Sequence, residues 1–218
     1  MAQGPDAQPT MRADVLGDRL RAARDAYGIS LRELARRIGV SASLISQIET
    51  GKVHPSVSTL YSLASELGAS VDELLFEDAP ITNKPSGDRW AFLTDHPHME
   101  PVQRGADRQV IELDSGVRWE RLTTESVPGI DFLYLVYEPG GESSPRDGMQ
   151  RHTGREWGYV IEGTLSVTVG FDEHVLEAGD SVAFDSTVPH RFHNDGDTEV
   201  RAIWYVLGWQ SGRPTPSS

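Results

Sequence analysis

Apolar positions in residues 11–76 recur at helical spacing. Leu16, Leu20, Ala23 and Tyr27 fall on one stripe of a helix that Gly28 closes. Ser30 followed by Glu33 has the form of a capping box, and Leu31, Leu34, Ala35 and Ile38 continue as a short second helix stopping at Gly39. Ser41 caps a third helix that turns Ile45 and Ile48 inward and ends at Gly51. Val57, Leu60, Leu63, Ala64 and Leu67 form a fourth, and Ser70 with Glu73 opens a last short one ending near Phe76.

The pattern then changes. Pro80, Pro85, Pro97 and Pro101 are spread through a stretch without sustained period, which reads as a linker leading into an edge strand near Trp90. From Arg108 onward, short runs rich in Val, Ile, Tyr, Phe and Trp are bounded by Gly, Asp and Pro. Strands are expected over 109–113, 117–122, 132–138, 159–162, 165–169, 173–176, 181–184, 190–194 and 200–207. So many short strands with polar turns imply a closed or two-sheeted β architecture. The organisation expected is a disordered tail over 1–11, a helical domain over 12–77, a linker or edge segment over 78–105, a β domain over 106–210 and a second tail over 211–218.

Charge sharpens this division. The chain of 218 residues carries a net charge of -13, which taken whole argues against a nucleic-acid partner. The helical stretch is nevertheless neutral, because Arg12, Arg19, Arg21, Arg24, Arg32, Arg36, Arg37 and Lys52 balance eight acidic residues. From Glu77 onward 12 basic residues face 24 acidic ones, so the two halves suit different partners. The absence of cysteine excludes disulfides, thiolate metal sites and a cysteine nucleophile. No apolar run approaches the roughly 20 residues of a membrane span, and the first ten residues lack the apolar core of a signal peptide. The expected location is the cytoplasm.

Two short helices joined at Gly39 and Val40, with the second opening at Ser41, have the geometry that places a recognition helix in the major groove. The stretch from Ile29 to Lys52, followed by Pro55 and Leu60, resembles the phage-repressor-like XRE family of helix-turn-helix regulators. The resemblance implies a five-helix, lambda-repressor-like DNA-binding domain. Its base-reading positions fall on Ala42, Ser43, Ser46 and Gln47, and its backbone-anchoring candidates on Ser30, Arg32, Ser41 and Lys52. Gln47 has an amide suited to adenine, whereas Ala42 offers only a methyl contact to thymine. The matching positions of a buried ion pair between the first and third helices hold Arg24 and Glu49.

In the β region, Gln150, His152 and Glu156 share parity on an extended chain, and His190 arrives on a separate strand. Two imidazoles and a carboxylate resemble the 2-His-1-carboxylate arrangement of non-haem iron, with Gln150 as a fourth ligand. The stretches 150–163 and 179–194 resemble the paired motifs of the cupin superfamily, including Gly163, Gly179 and Asn194. That resemblance implies an all-β jelly-roll barrel. Gln150 stands where the family's first motif has a histidine, so a weaker metal site is expected, with iron, zinc, manganese and nickel all open. A bound ion is one alternative; a hydrogen-bonded His152, Glu156 and His190 group inside an organic-ligand pocket is the other. Tyr134, Trp157, Phe184 and Trp204 are the aromatic candidates for lining that pocket. His174 and His193 have no partner at suitable spacing and read as surface residues, and Arg151 and Arg155 would anchor an anion only by turning inward. His96 and His98 lie in the Pro-rich linker without a carboxylate group around them.

An XRE helix-turn-helix followed by a cupin is similar to a class of bacterial transcriptional regulators. The resemblance implies a homodimer formed through the cupin, a pseudo-palindromic double-stranded operator, a small-molecule effector and no membrane partner. The alternative is an enzyme: a hydroxypropylphosphonate epoxidase has a similar two-domain plan and a His-x-x-x-Glu with a later His, matching His152, Glu156 and His190, which would imply an iron-dependent oxygenase.

Overall fold

The structure, a computed structural model, describes residues 13–69, 71–75, 100–127, 129–146 and 148–208. The helical part consists of α1 (Ala13–Tyr27), α2 (Leu31–Ile38), α3 (Ala42–Glu49), α4 (Val57–Leu67) and α5 (Val71–Leu75). Their limits follow from local chemistry. Ser30 Oγ accepts the Glu33 N–H at 3.2 Å, Ser41 Oγ accepts that of Leu44 at 3.1 Å, and Ser56 Oγ accepts that of Thr59 at 3.3 Å. Gly39 ends α2 in the left-handed region at φ 76°. Only half of the expected capping box forms. The Glu33 carboxylate turns to Arg36 and Arg37 on its own helix, and those guanidiniums hold it down at about 2. At the end of α3 the cap is Thr50 rather than Gly51, with its hydroxyl donating to the Ser46 carbonyl at 2.8 Å.

Leu16, Leu20, Ala23, Leu34, Ile45, Ile48, Leu60, Leu63 and Leu67 are buried together between the helices. Arg24 closes this core from one side: its Nε and Nη2 donate to the two Glu49 oxygens at 2.6 and 3.1 Å, tying α1 to α3. The two helices also touch through backbone. A Cβ added at Gly17 would lie 2.7 Å from the Glu49 carbonyl oxygen and 2.8 Å from that of Ile48.

Among the described residues, a 3-10 turn at Gly105–Asp107 is followed by nine strands: β1 (Val110–Leu113), β2 (Val117–Arg121), β3 (Ile130–Tyr137), β4 (Arg155–Glu162), β5 (Thr164–Val169), β6 (Asp172–Glu177), β7 (Ser181–Asp185), β8 (His190–His193) and β9 (Val200–Leu207). They form two antiparallel sheets, of order β1-β2-β3-β9-β4-β7 and β6-β5-β8. This is the two-sheeted architecture expected from the strand pattern. β4 begins at Arg155 rather than at Tyr159, because Glu156, Trp157 and Gly158 are already paired on both sides, with β7 and with β9. The edge strand expected near Trp90, His96, His98, the Ser70 cap and both tails lie outside the described residues.

The helical unit is seated on the β unit. The N–H of Ser58, in the first turn of α4, donates to the Ser143 carbonyl at 3.0 Å, and Tyr61 packs on Trp119 of β2 with ring centroids 5.8 Å apart. Gly17→Ala is expected to destabilise the helical domain by about 1–3 kcal/mol by forcing α1 off α3. Chemical denaturation checks this, with Gly105→Ala, which meets no atom within 4 Å, as the control.

Candidate functional site

Two regions of the molecule present chemistry. On the helical side, Ser30, Arg32, Ser41, Ser43, Ser46, Gln47 and Lys52 are all exposed, while Ala42 is half-buried and packs on the helical core. α3 turns Ile45, Ile48 and Glu49 inward, so the remaining face, carrying Ser43, Ser46 and Gln47, is open to a partner. The Ser30 and Ser41 oxygens already accept backbone N–H groups as caps, which leaves each hydroxyl proton available to an anion. Of the arginines on α2, Arg36 is paired with Glu33, and Arg37 with Glu33 and with Glu66 of α4 at 2.7 Å each. Arg32 makes no ion pair among the described residues.

On the β side, His152, Glu156 and His190 converge. His152 Nε2 lies 2.9 Å and His190 Nε2 3.0 Å from the same oxygen, Glu156 Oε1, and all three residues are buried. These short contacts do not have hydrogen-bond geometry: each of the three atoms is buried without a hydrogen-bond partner. The outer nitrogen of His190 explains the arrangement. Its Nδ1 lies 2.9 Å from the Val188 carbonyl, an acceptor only, so the proton of the neutral ring sits on Nδ1 and the Nε2 lone pair faces Glu156. His152 Nδ1 makes a longer contact of 3.4 Å to the Thr153 carbonyl.

The second carboxylate oxygen is satisfied by the fold. Trp204 Nε1, on β9, donates to Glu156 Oε2 at 2.7 Å with both side chains buried. Gly158 makes room for that indole, since a Cβ there would fall 2.1 Å from the Trp204 ring. Gln150 completes the surroundings. It is bridge-paired with His190 across an antiparallel contact, which puts both side chains on one side. Its two amide atoms are buried and unpartnered.

Several expected residues fall elsewhere. Trp157 follows Glu156 directly in β4, so the alternation of the strand sends it to the outer face, where it is exposed and packs on Tyr205 at 5.6 Å. Tyr134 also points outward from β3, under the Arg108 guanidinium at 5.3 Å. Neither lines the site. Phe184 does reach it, with its ring 4.8 Å from that of His190. Arg151, Arg155 and His174 are exposed as expected, whereas His193 does have a partner, Asp195, at 2.6 Å. Asn194 holds a turn: its amide nitrogen donates to the carbonyls of Tyr137, Glu138 and Thr198.

A residue that the strand pattern could not supply is Tyr61. It stacks on His152 with ring centroids 4.1 Å apart and planes inclined by 7°. Burial, followed by Asp131 and Glu156, pushes its hydroxyl well above the ordinary range. The signal was present in α4: Val57, Tyr61 and Ala64 make a second helical stripe beside Leu60, Leu63 and Leu67, and a helix buried on both stripes needs two partners.

The Helix-turn-helix family matches residues 20–74 and the Cupin domain family residues 133–206. The chain is 31% identical over 189 residues to the HTH-type transcriptional regulator PuuR of Escherichia coli, an alignment covering 86% of this chain and 91% of that protein. It is 26% identical over 190 residues to the HTH-type transcriptional regulator SutR of the same organism, covering 86% and 92%. Among solved structures, an HTH_3 family transcriptional regulator from Vibrio cholerae superposes with a TM-score of 0.62 at 21% identity, covering 90% of this chain and 96% of that one. No helix among the described residues is long and apolar enough to cross a membrane.

Trp204→Phe, which keeps the ring and removes the donor to a buried carboxylate, is expected to cost about 1–3 kcal/mol of stability by equilibrium denaturation. An unchanged midpoint would mean that the indole does not support Glu156.

Proposed function

The chain belongs to the helix-turn-helix transcriptional regulators that carry a cupin domain, and on that premise we propose that α3 reads an operator while the cupin interior binds a divalent cation and a small effector. One observation carries the cation. Two imidazole nitrogens and a carboxylate oxygen meet in the interior, all three without hydrogen-bond partners, and the Val188 carbonyl keeps the His190 proton on the far side of the ring. Lone pairs at that spacing repel unless positive charge lies among them. His152, Glu156 and His190 would hold the ion, and the unpartnered Gln150 amide would add a neutral oxygen. When bound, the ion supplies positive charge and a coordination position for an effector's donor atom. The donor set of nitrogen and oxygen suits iron, zinc, manganese or nickel. Phe184 and Trp204 wall the same interior.

On DNA, Gln47, Ser46, Ser43 and the Ala42 methyl would meet base edges, while Ser30, Arg32, Ser41 and Lys52 would anchor phosphates. The exposed, unpaired Arg32 and the open face of α3 support this assignment. Reading a pseudo-palindromic operator requires two copies. The outer face of the larger sheet, where Trp157, Tyr159, Ile161 and Tyr205 form an apolar patch, is the surface that would pair in a cupin-mediated homodimer. A regulator that reads an operator would work in the cytoplasm. The regulator reading takes precedence over the oxygenase because the helical domain keeps its reading face open and the relatives named above are regulators.

Gln47→Ala is expected to weaken operator binding by about 1–3 kcal/mol and leave nonspecific DNA binding nearly intact, measured by fluorescence anisotropy on both duplexes. Equal losses on the two would remove Gln47 from base reading. Protein purified without chelator or nickel resin is expected to carry about one divalent ion per chain, lost in His190→Ala. A metal-free wild type that also fails to take up added zinc(II) would leave the four buried groups to an organic ligand alone.

A further inference from the structure

The helical domain closes the cupin site with a residue of its own. Tyr61 is 7% exposed although it belongs to α4, and the surface that buries it is the β domain: the His152 ring on one side and Trp119 on another. A second tether lies one turn earlier in the same helix, where the Ser58 N–H donates to the Ser143 carbonyl. Ser143 is in turn bonded to β8, the strand that carries His190, through Phe192: its N–H donates to the Phe192 carbonyl and its hydroxyl accepts the Phe192 N–H. The first two turns of α4 therefore contact the His152 segment directly and reach the His190 strand through Ser143.

The other face of α4 belongs to the DNA reader. Leu60, Leu63 and Leu67 are buried in the helical core, and Glu66 is paired with Arg37 of α2, the helix that packs against α3. A continuous chain of packed groups thus runs from His152 through Tyr61 and α4 to α2 and the recognition helix. The contact at its start is sensitive to what His152 holds. A cation on Nε2 fixes the ring and withdraws electron density from it, which strengthens stacking against the electron-rich phenol; a ring left free, or removed, loosens it.

We infer that Tyr61 is the positioning residue that couples the cupin site to DNA reading: the state of His152 sets how firmly α4 is seated, and the seating of α4 sets the disposition of α3 relative to its two-fold mate. The inference rests on the regulator reading above for its output, and on the Tyr61 stack for its mechanism. Linkage makes it quantitative, because whatever factor a bound ion adds to operator affinity, the operator must add to ion affinity.

The test is a double-mutant cycle in the full-length protein, reading affinity for a duplex selected by the wild type from a random-sequence library, with and without zinc(II). In the wild-type background, His152→Leu is expected to change operator affinity by about fivefold or more, the lower end of typical coupling factors. In a Tyr61→Leu background the same substitution is expected to change it by less than about twofold, and Tyr61→Phe, which keeps the stacked ring, is expected to restore the full response. Circular dichroism and nonspecific DNA binding establish that each variant is folded. An equal effect of His152→Leu in both backgrounds, or none in the wild type, overturns the inference, as does a Tyr61→Phe variant that behaves like Tyr61→Leu. Zinc(II) separates the two levels of the argument. If it fails to bind the wild type, the cation reading fails while the His152 and Tyr61 cycle still decides the coupling. If it binds and shifts operator affinity equally in wild type and Tyr61→Leu, the cation reading stands and the coupling through Tyr61 falls.

Discussion

A carboxylate buried in the interior of a β domain has to be compensated, and the cost of leaving it bare is several kcal/mol. Glu156 is that group here, at 1% exposure, and much of the β domain is arranged around it. Trp204 satisfies one oxygen from the neighbouring strand, Gly158 vacates the space the indole needs, and two imidazoles are brought against the other oxygen. The imidazoles come from different places, His152 from the segment before β4 and His190 from the start of β8 in the second sheet, so the site lies where the two sheets meet. The Val188 carbonyl directs the His190 Nε2 lone pair at the Glu156 oxygen, and the three groups together could hold a metal ion.

The helical domain solves a different problem, that of displaying a few polar groups on a stable frame. A buried charge pair, Arg24 with Glu49, fastens α3 to α1 from the inside, and the close approach at Gly17 lets the two backbones meet. The arginines on α2 divide: Arg36 and Arg37 are engaged by Glu33 and Glu66, and Arg32 lies exposed with no ion pair among the described residues. A domain of zero net charge can in this way present local positive charge without a basic composition, while the acidity of the chain resides in the β domain. The contact of Tyr61 with His152 joins these two designs, since α4 serves as core for one domain and as cover for the other.

The fold was legible in the chain to a large extent because its signals are local. Helix limits follow from serine caps and glycine stops within a few residues, and the strands follow from short β-branched and aromatic runs between turns. The parity argument for Gln150, His152 and Glu156 reached the right neighbours by a route the structure does not take. Gly154, with φ at 127°, interrupts the extended chain between His152 and Glu156, and Gln150 is placed by its bridge to His190 instead.

By itself, then, the sequence determined the order of elements, the two-domain division and the identities of the buried acid and its two histidines, through periodicity, capping and motif spacing that act over short stretches of chain, while the Arg24 and Glu49 pair followed from the resemblance to the XRE family. Only the tertiary structure decided which aromatic rings meet the site: Trp204 and Phe184 inside, Trp157 and Tyr134 outside, and Tyr61 arriving from another domain. Those choices depend on which strands pair, in what register, and where a helix docks. They are set by contacts between residues far apart in the chain; a local pattern such as the second apolar stripe of α4 shows that a partner is needed but not which one.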